Sequence, residues 1–218
     1  MNQHISLLNL FLAIIVTVLW GLNFVFAKIG LLHFSPFFML LLRFIIVTLI
    51  LLPFYPKPPI KLYNIAIISL LFSVLHLGFM FWSLYLGLDS SIGVITQQLS
   101  IPFVLLLSIV FFKEKIGIKS AIGVSLAIFG TIILIKAPNS IQYPLAFMLI
   151  IGSAFSWALY SCALKKIQSV NPLALITWIS LLSIPMIIPL TIIFENNQIY
   201  SLKTATIFPI LSLLYTVP

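Results

Sequence analysis

Acidic residues are almost missing from this chain: three Asp or Glu stand among 218 residues, against eleven Lys or Arg, and charged side chains make up 6% of the whole. A water-soluble domain exposes mainly polar groups, and there are too few here to cover one. Cysteine occurs once, at Cys162. That excludes an intramolecular disulfide and a cysteine-only metal cluster, and leaves the redox compartment open. The net charge of +8 comes from scattered cations rather than one basic, aromatic-lined face, so no nucleic-acid partner is expected. Paired acids, an HExxH helix and a nucleophile beside a positioned base are also lacking. No enzyme, metal site or cofactor is expected.

What is present is hydrocarbon, 62% of the chain being hydrophobic. Apolar runs near 10–32, 36–54, 64–88, 91–112, 120–135, 145–164 and 173–194 each suit a helix that crosses about 30 Å at about 1.5 Å per residue. An eighth run begins near Ala205 and stops at Pro218, too short for a crossing of about 20 residues. The fold class is therefore an all-α, polytopic integral membrane protein. Turn chemistry punctuates the runs, as in "PFYPKPPIK", "GLDSS" and "ENNQIYSLK", and such short connections make neighbouring spans antiparallel. Lys57, Lys61, Lys113, Lys115, Lys119, Lys165 and Lys166 fall on one side, against Lys28, Lys136 and Lys203 on the other. By the positive-inside bias the lysine-rich side, and the N-terminus with it, is cytoplasmic. "MNQHISLLNLFLAI" has no Lys or Arg before a long apolar run, so it reads as a retained span rather than a cleaved signal.

The chain also repeats itself. Sliding it by 137 residues aligns Trp20 with Trp157 and Lys28 with Lys165, and each W-x7-K copy is followed by a small polar residue and proline, Ser35-Pro36 and Asn171-Pro172. Five spans separate the copies, so the second lies inverted relative to the first. Two halves of one fold in opposite orientations can open a midplane site to each side in turn.

Polar residues inside the spans are the site candidates. Trp20 and Asn23 are three apart and share a helical face, and Trp157 and Tyr160 hold the same offset in the second copy. An indole gives a flat apolar wall with one donor; Asn23 serves either as glue between helices or as a cavity group. Lys28 sits close enough to its span's end to snorkel. Arg43, seven residues into the second span, needs a partner at that depth. Its expected partner is Asp89, and the alternative is a substrate carboxylate held by two parallel donors. His76 is expected to pack between helices through a hydrogen bond, with proton relay as the alternative. Glu114 is expected to pair weakly with Lys113 or Lys115, and Glu195 and Asp89 to be loop acids. No carboxylate lies deep in a span, so an energy-coupling group is unassigned.

Several motifs carry a family resemblance: "LWGLNFVFAKIGL", "PFFMLLLRF", "TQQLSIPFVLLLSIVFFKEKIG" and "AIGVSLAIFGTIILI". In order and spacing they resemble the EamA-type repeat of the drug/metabolite transporter superfamily. "WGLNFV" and "AFSWALYSCALKKI" are most similar to its O-acetylserine/cysteine exporter group. The resemblance implies ten spans in two inverted five-helix repeats, cytoplasmic termini and a central substrate cavity, and family spacing nominates Gln98 rather than Gln97 for that cavity. On this reading residues 1–136 form a first EamA-type repeat and 137–218 a partial second one. The expected function is a secondary transporter exporting small amino-acid-like metabolites across the cell inner membrane by alternating access. Trp20, Asn23, Gln98, Trp157 and Tyr160 form the expected substrate site, with charge or proton roles for Arg43, His76 and Asp89. The alternative is a shortened remnant, or a subunit that pairs as a homodimer or with a complementing partner chain. Gly123 and Gly130, seven apart, are expected to allow close helix packing.

Overall fold

The computed structural model describes residues 7–114, 117–136, 138–167 and 170–216. Lys115 and Pro218 lie outside the described residues. In chain order the helices are α1 (Leu7–Leu31), α2 (Pro36–Leu51), α3 (Leu62–Ser69), a π-helical stretch (Leu70–Gly78), α4 (Phe79–Tyr85), α5 (Ser90–Gln97), α6 (Ser100–Phe112), α7 (Ile118–Ile135), α8 (Pro138–Gln142), α9 (Pro144–Lys165), α10 (Pro172–Phe194), α11 (Gln198–Lys203) and α12 (Ile207–Thr216). No strand occurs among the described residues. The chain is an all-α, multi-pass membrane protein.

Six stretches are long and apolar enough to cross a bilayer: Leu7–Leu31, Leu62–Tyr85, Ser90–Phe112, Ile118–Ile135, Pro144–Lys165 and Pro172–Phe194. The run expected at 36–54 is shorter as a helix. It starts at Pro36, whose missing N–H costs nothing in a first turn, and stops at Leu51 ahead of Pro53. Two spans are interrupted where chemistry demands it. In Ser90–Phe112, Pro102 cannot donate to the Gln98 carbonyl, and the Ile101 N–H takes that oxygen at 3.1 Å instead, so α5 ends at Gln97 and α6 restarts at Ser100. In Leu62–Tyr85, nine residues bond in the wider i→i+5 pattern, a conformation that recurs at functional positions.

The bundle closes around a core that includes Phe34, Phe44, Phe81, Met39, Leu40 and Ile150, all at most 1% exposed. α2 lies along α10; α9 packs on the π stretch, α4 and α6; α12 lies along α1. That last contact is anchored by Tyr215, whose hydroxyl donates to the Leu19 carbonyl at 3.1 Å and whose ring stacks on Phe26 at 4.1 Å. α7 has no buried residue, and a Cβ added at Gly123 or Gly130 would meet nothing within 4 Å. The close packing expected at those glycines does not occur here.

Candidate functional site

α1, the π stretch, α5 and α9 bring four aromatic rings and three hydrogen-bonding side chains together in the middle of the bundle. Trp157 is the hub. Its ring lies 5.8 Å from Trp20, 4.7 Å from His76, 5.3 Å from Tyr160 and 6.3 Å from Phe72 between centroids. Phe72 closes the wall at 5.0 Å from Tyr160. Helical spacing places Phe72 and His76 on one face four residues apart, and Trp157 and Tyr160 on the facing helix three apart.

The polar part of the cluster is built on Ser153. Its hydroxyl lies 2.8 Å from the His76 carbonyl, 3.0 Å from His76 Nδ1 and 3.2 Å from Gln97 Oε1. His76 Nδ1 also lies 3.1 Å from the Ser153 carbonyl and 3.5 Å from Gln97 Nε2. The carbonyl at 3.1 Å is an acceptor, so Nδ1 carries the proton and donates to it, while the amide contact at 3.5 Å is too long to compete. Nε2 is then left with the lone pair.

The glutamine that reaches this cluster is Gln97, not the expected Gln98. Gly93, Thr96 and Ser100 are buried, and Gln97 shares their inward stripe at i, i+3, i+4 and i+7. Gln98 is exposed on the stripe of Ile95 and Ile101. The pattern of small and polar residues in "GVITQQLS" carries this signal, and family spacing alone misses it. Ser153 was also missed, because a single serine in an apolar run has no distinguishing neighbour in sequence. Asn23 is half-buried on α1, outside the hydrogen-bonded set of His76, Gln97 and Ser153.

The charged residues fall elsewhere, and several expectations need correction. Lys28 reaches the turn before α5, as its place near the span's end suggests: its ammonium donates to the Leu88 carbonyl, and its charge acts on Asp89. Asp89 caps α5 by accepting from the Ser91 N–H at 2.8 Å and from the Ser91 hydroxyl. These bonds, with Lys28, hold its carboxyl below the usual range. The Arg43–Asp89 ion pair does not form among the described residues; Arg43 faces the bundle interior from α2, 5% exposed. Glu114 pairs across the fold with Lys165 rather than with its sequence neighbours, and that hydrogen bond keeps its carboxyl below the usual range.

Glu195 differs most from expectation. Far from being a loop acid in water, it is 6% exposed and accepts from Ser35 Oγ at 2.8 Å, Phe37 N at 2.6 Å, Phe38 N at 2.9 Å and Thr191 Oγ1 at 2.6 Å. It thus satisfies the first free N–H groups of α2, the work an N-cap side chain usually does. At the matching start of α10, Asn171 caps its own helix, accepting from Leu173 N at 2.9 Å and Ala174 N at 3.3 Å.

Two grooves open at opposite ends of the bundle. One of about 410 Å³ lies beside Glu195 between α2 and α10, lined by Phe38, Leu41, Thr191 and Gln198. The other, about 310 Å³, lies at the end where α3 begins and α6 and α9 finish, lined by Asn64, Phe111, Cys162 and Lys166. Neither includes a residue of the aromatic cluster, which sits packed between them.

A helical bundle with an aromatic and polar centre, Trp20 at its exposed edge, and a groove at each end suits a membrane carrier. Comparison with known proteins agrees. The profile of the EamA-like transporter family matches residues 7–136. Over 213 residues, 94% of this chain and 71% of the relative, the sequence is 32% identical to a "Probable amino-acid metabolite efflux pump" of Salmonella typhimurium strain LT2. A protein of the same description in Escherichia coli strain K12 is 32% identical over 212 residues, with the same coverage. The chain belongs to the EamA-like transporter family and is a multi-pass membrane transporter of small molecules.

Proposed function

We propose that this chain exports small amino-acid-like metabolites across the cell inner membrane by alternating access. The carrying observation is the meeting of α1, the π-helical stretch, α5 and α9 at one cluster, Trp20, Phe72, His76, Gln97, Ser153, Trp157 and Tyr160, placed between two grooves at opposite ends. The relatives' description as amino-acid metabolite efflux pumps supports both the direction and the substrate class, and favours a working transporter over an inert remnant. The aromatic walls suit the body of a small zwitterion, and the Gln97 amide offers a donor and an acceptor to its polar ends. Asn23 borders this site from α1.

The repeat reading gives the movement. Residues 1–136 contribute four helices of crossing length and the shorter α2, and 137–218 the start of an inverted copy; the family profile ends at Lys136, at that boundary. Glu195 ties the end of α10 to the start of α2, and Glu114 with Lys165 ties the α6 end to α9. These are contacts between the two proposed repeats at opposite ends of the bundle, where gates of a rocking carrier belong. The excess of lysines on one side supports a cytoplasmic N-terminus.

The test is efflux from cells loaded with labelled amino acids, with protein levels matched by immunoblot. Expression of the chain is expected to speed loss of at least one amino acid, and Trp157→Ala to abolish the gain. Equal efflux with and without the chain for all amino acids overturns the proposal.

A further inference from the structure

Each of the three acids in this sequence has work that excludes Arg43. Asp89 caps α5 beside Lys28, Glu114 pairs with Lys165, and Glu195 holds the start of α2. Arg43 is 5% exposed, and its Nε and Nη1 atoms are buried without a hydrogen-bond partner among the described residues. A guanidinium stays charged at any pH a cell meets, so it cannot escape by losing its proton. A buried cation left without an anion is a costly arrangement.

Its surroundings lead to the transport site. The Arg43 guanidinium carbon lies 6.0 Å from the Phe44 ring centroid, Phe44 meets Phe72 edge to face at 6.5 Å, and Phe72 is a wall of the aromatic cluster. Pro185 and Pro189 on α10, the helix along α2, leave the carbonyls of Leu181 and Pro185 without a helical donor, but neither takes a hydrogen bond from Arg43 Nε or Nη1. Such carbonyls are neutral and leave the charge unbalanced.

We propose that Arg43 is the anion-binding point of the transport site, and that the substrates are metabolites bearing a carboxylate, held in a two-pronged grip with their bodies against Phe72, Trp157 and Tyr160. This rests on the transport site proposed above. A planar fork of donors suits a carboxylate and distinguishes it from the corresponding amide. The ammonium of an amino acid then has Gln97 Oε1 and the indole faces to meet.

The experiment uses the full chain purified in detergent and reads binding by tryptophan fluorescence and thermal shift. The probes are the common L-amino acids, each against its own carboxamide, with inorganic phosphate and anionic phospholipid as separate arms. At least one amino acid is expected to bind the wild type roughly tenfold or more tightly than its amide. Arg43→Lys is expected to weaken the acid, and Arg43→Gln to bring acid and amide to the same affinity. The wild-type comparison needs no variant to fold. Equal affinity for acid and amide, an Arg43→Gln protein that still prefers the acid, or a panel in which none binds or only phosphate or lipid does, each overturns the proposal. Trp157→Ala separates the two readings: if it leaves the acid preference and affinity untouched, the aromatic site is wrong while Arg43 stands.

Discussion

Trp20 and Trp157, equivalent positions of the repeated W-x7-K spacing, meet edge to face with centroids 5.8 Å apart and planes at 85°. Residues exchanged by a two-fold axis can touch only beside that axis, so on the repeat reading it passes between these indoles. Edge-to-face contact does not treat the rings alike, and Trp20 is 63% exposed while Trp157 is half-buried. The two substitutions are therefore expected to differ. Trp157→Ala, which removes contacts to four rings, should lower efflux by at least tenfold at matched expression, and Trp20→Ala by clearly less. Equal losses would show that Trp157 is no hub.

The two glutamines of "TQQL" make a sharper comparison because they are neighbours. Gln97→Ala breaks the link to Ser153 and His76 and is expected to reduce efflux several-fold, whereas Gln98→Ala on the outer stripe leaves it within error. A loss confined to Gln98→Ala would return the site to the residue that family spacing nominated.

Glu195 collects four donors at a buried position, so its removal releases them together. The Ser35 and Thr191 hydroxyls can turn to other acceptors but the Phe37 and Phe38 N–H groups cannot; with each stranded N–H costing about 1–3 kcal/mol, Glu195→Ala is expected to destabilise the purified protein by about 3 kcal/mol, read as a Tm lower by several degrees. Glu195→Gln retains acceptor oxygen and should lose less. An unchanged Tm in Glu195→Ala would mean that α2 finds another cap.

Glycines divide by environment rather than by spacing. Gly87 has φ +109°, and a Cβ there would lie 2.8 Å from the Tyr143 ring, so Gly87→Ala is expected to cost about 1 kcal/mol or more. Gly123→Ala and Gly130→Ala meet open space in the same helix and should be neutral or stabilising by up to about 1 kcal/mol through helix propensity. Thermal melts of the three variants decide, and destabilisation by Gly123→Ala would restore the close-packing expectation.

Asp89 sets a pH dependence with a definite sign. Its folded carboxyl titrates below the reference value of 3.8 because the Ser91 hydroxyl and N–H, then Lys28, favour the anion. Its stabilisation is fully present above 3.8 and fades as pH falls through the lower folded value. The Tm difference between wild type and Asp89→Asn should thus be constant from neutrality to about pH 5 and shrink below 3.8; a difference that widens on acidification would contradict this capping role.

The spans were legible because a long apolar run admits little else in a bilayer, and so was the recurrence of Trp20 and Lys28 at Trp157 and Lys165. Trp157 and Tyr160 were legible as a pair for the same reason: helical spacing is local. What stayed hidden depends on contacts between distant segments. Nothing in "FENNQ" shows that Glu195 lies against Phe37, and nothing near Glu114 prefers Lys165 to the adjacent lysines. Arg43 illustrates the limit best, since the sequence offers Asp89 as its counter-ion and only the tertiary arrangement spends that acid elsewhere. Gln97 was within reach of a periodicity count through Gly93, Thr96 and Ser100.

The widened stretch Leu70–Gly78 makes chain length itself a determinant of where His76 faces in the proposed site. Wider turns of this kind absorb extra chain inside an α-helix, so a one-codon deletion that let the segment return to ordinary α-helix would keep α3 and α4 in register while turning His76 to a new neighbour. In a related gene that had lost one codon here, the remaining cluster residues would align by identity while His76 faced a different neighbour. Divergence of substrate choice in such proteins is thus open to single-residue deletions within this segment, a route that comparing residue identities alone does not detect.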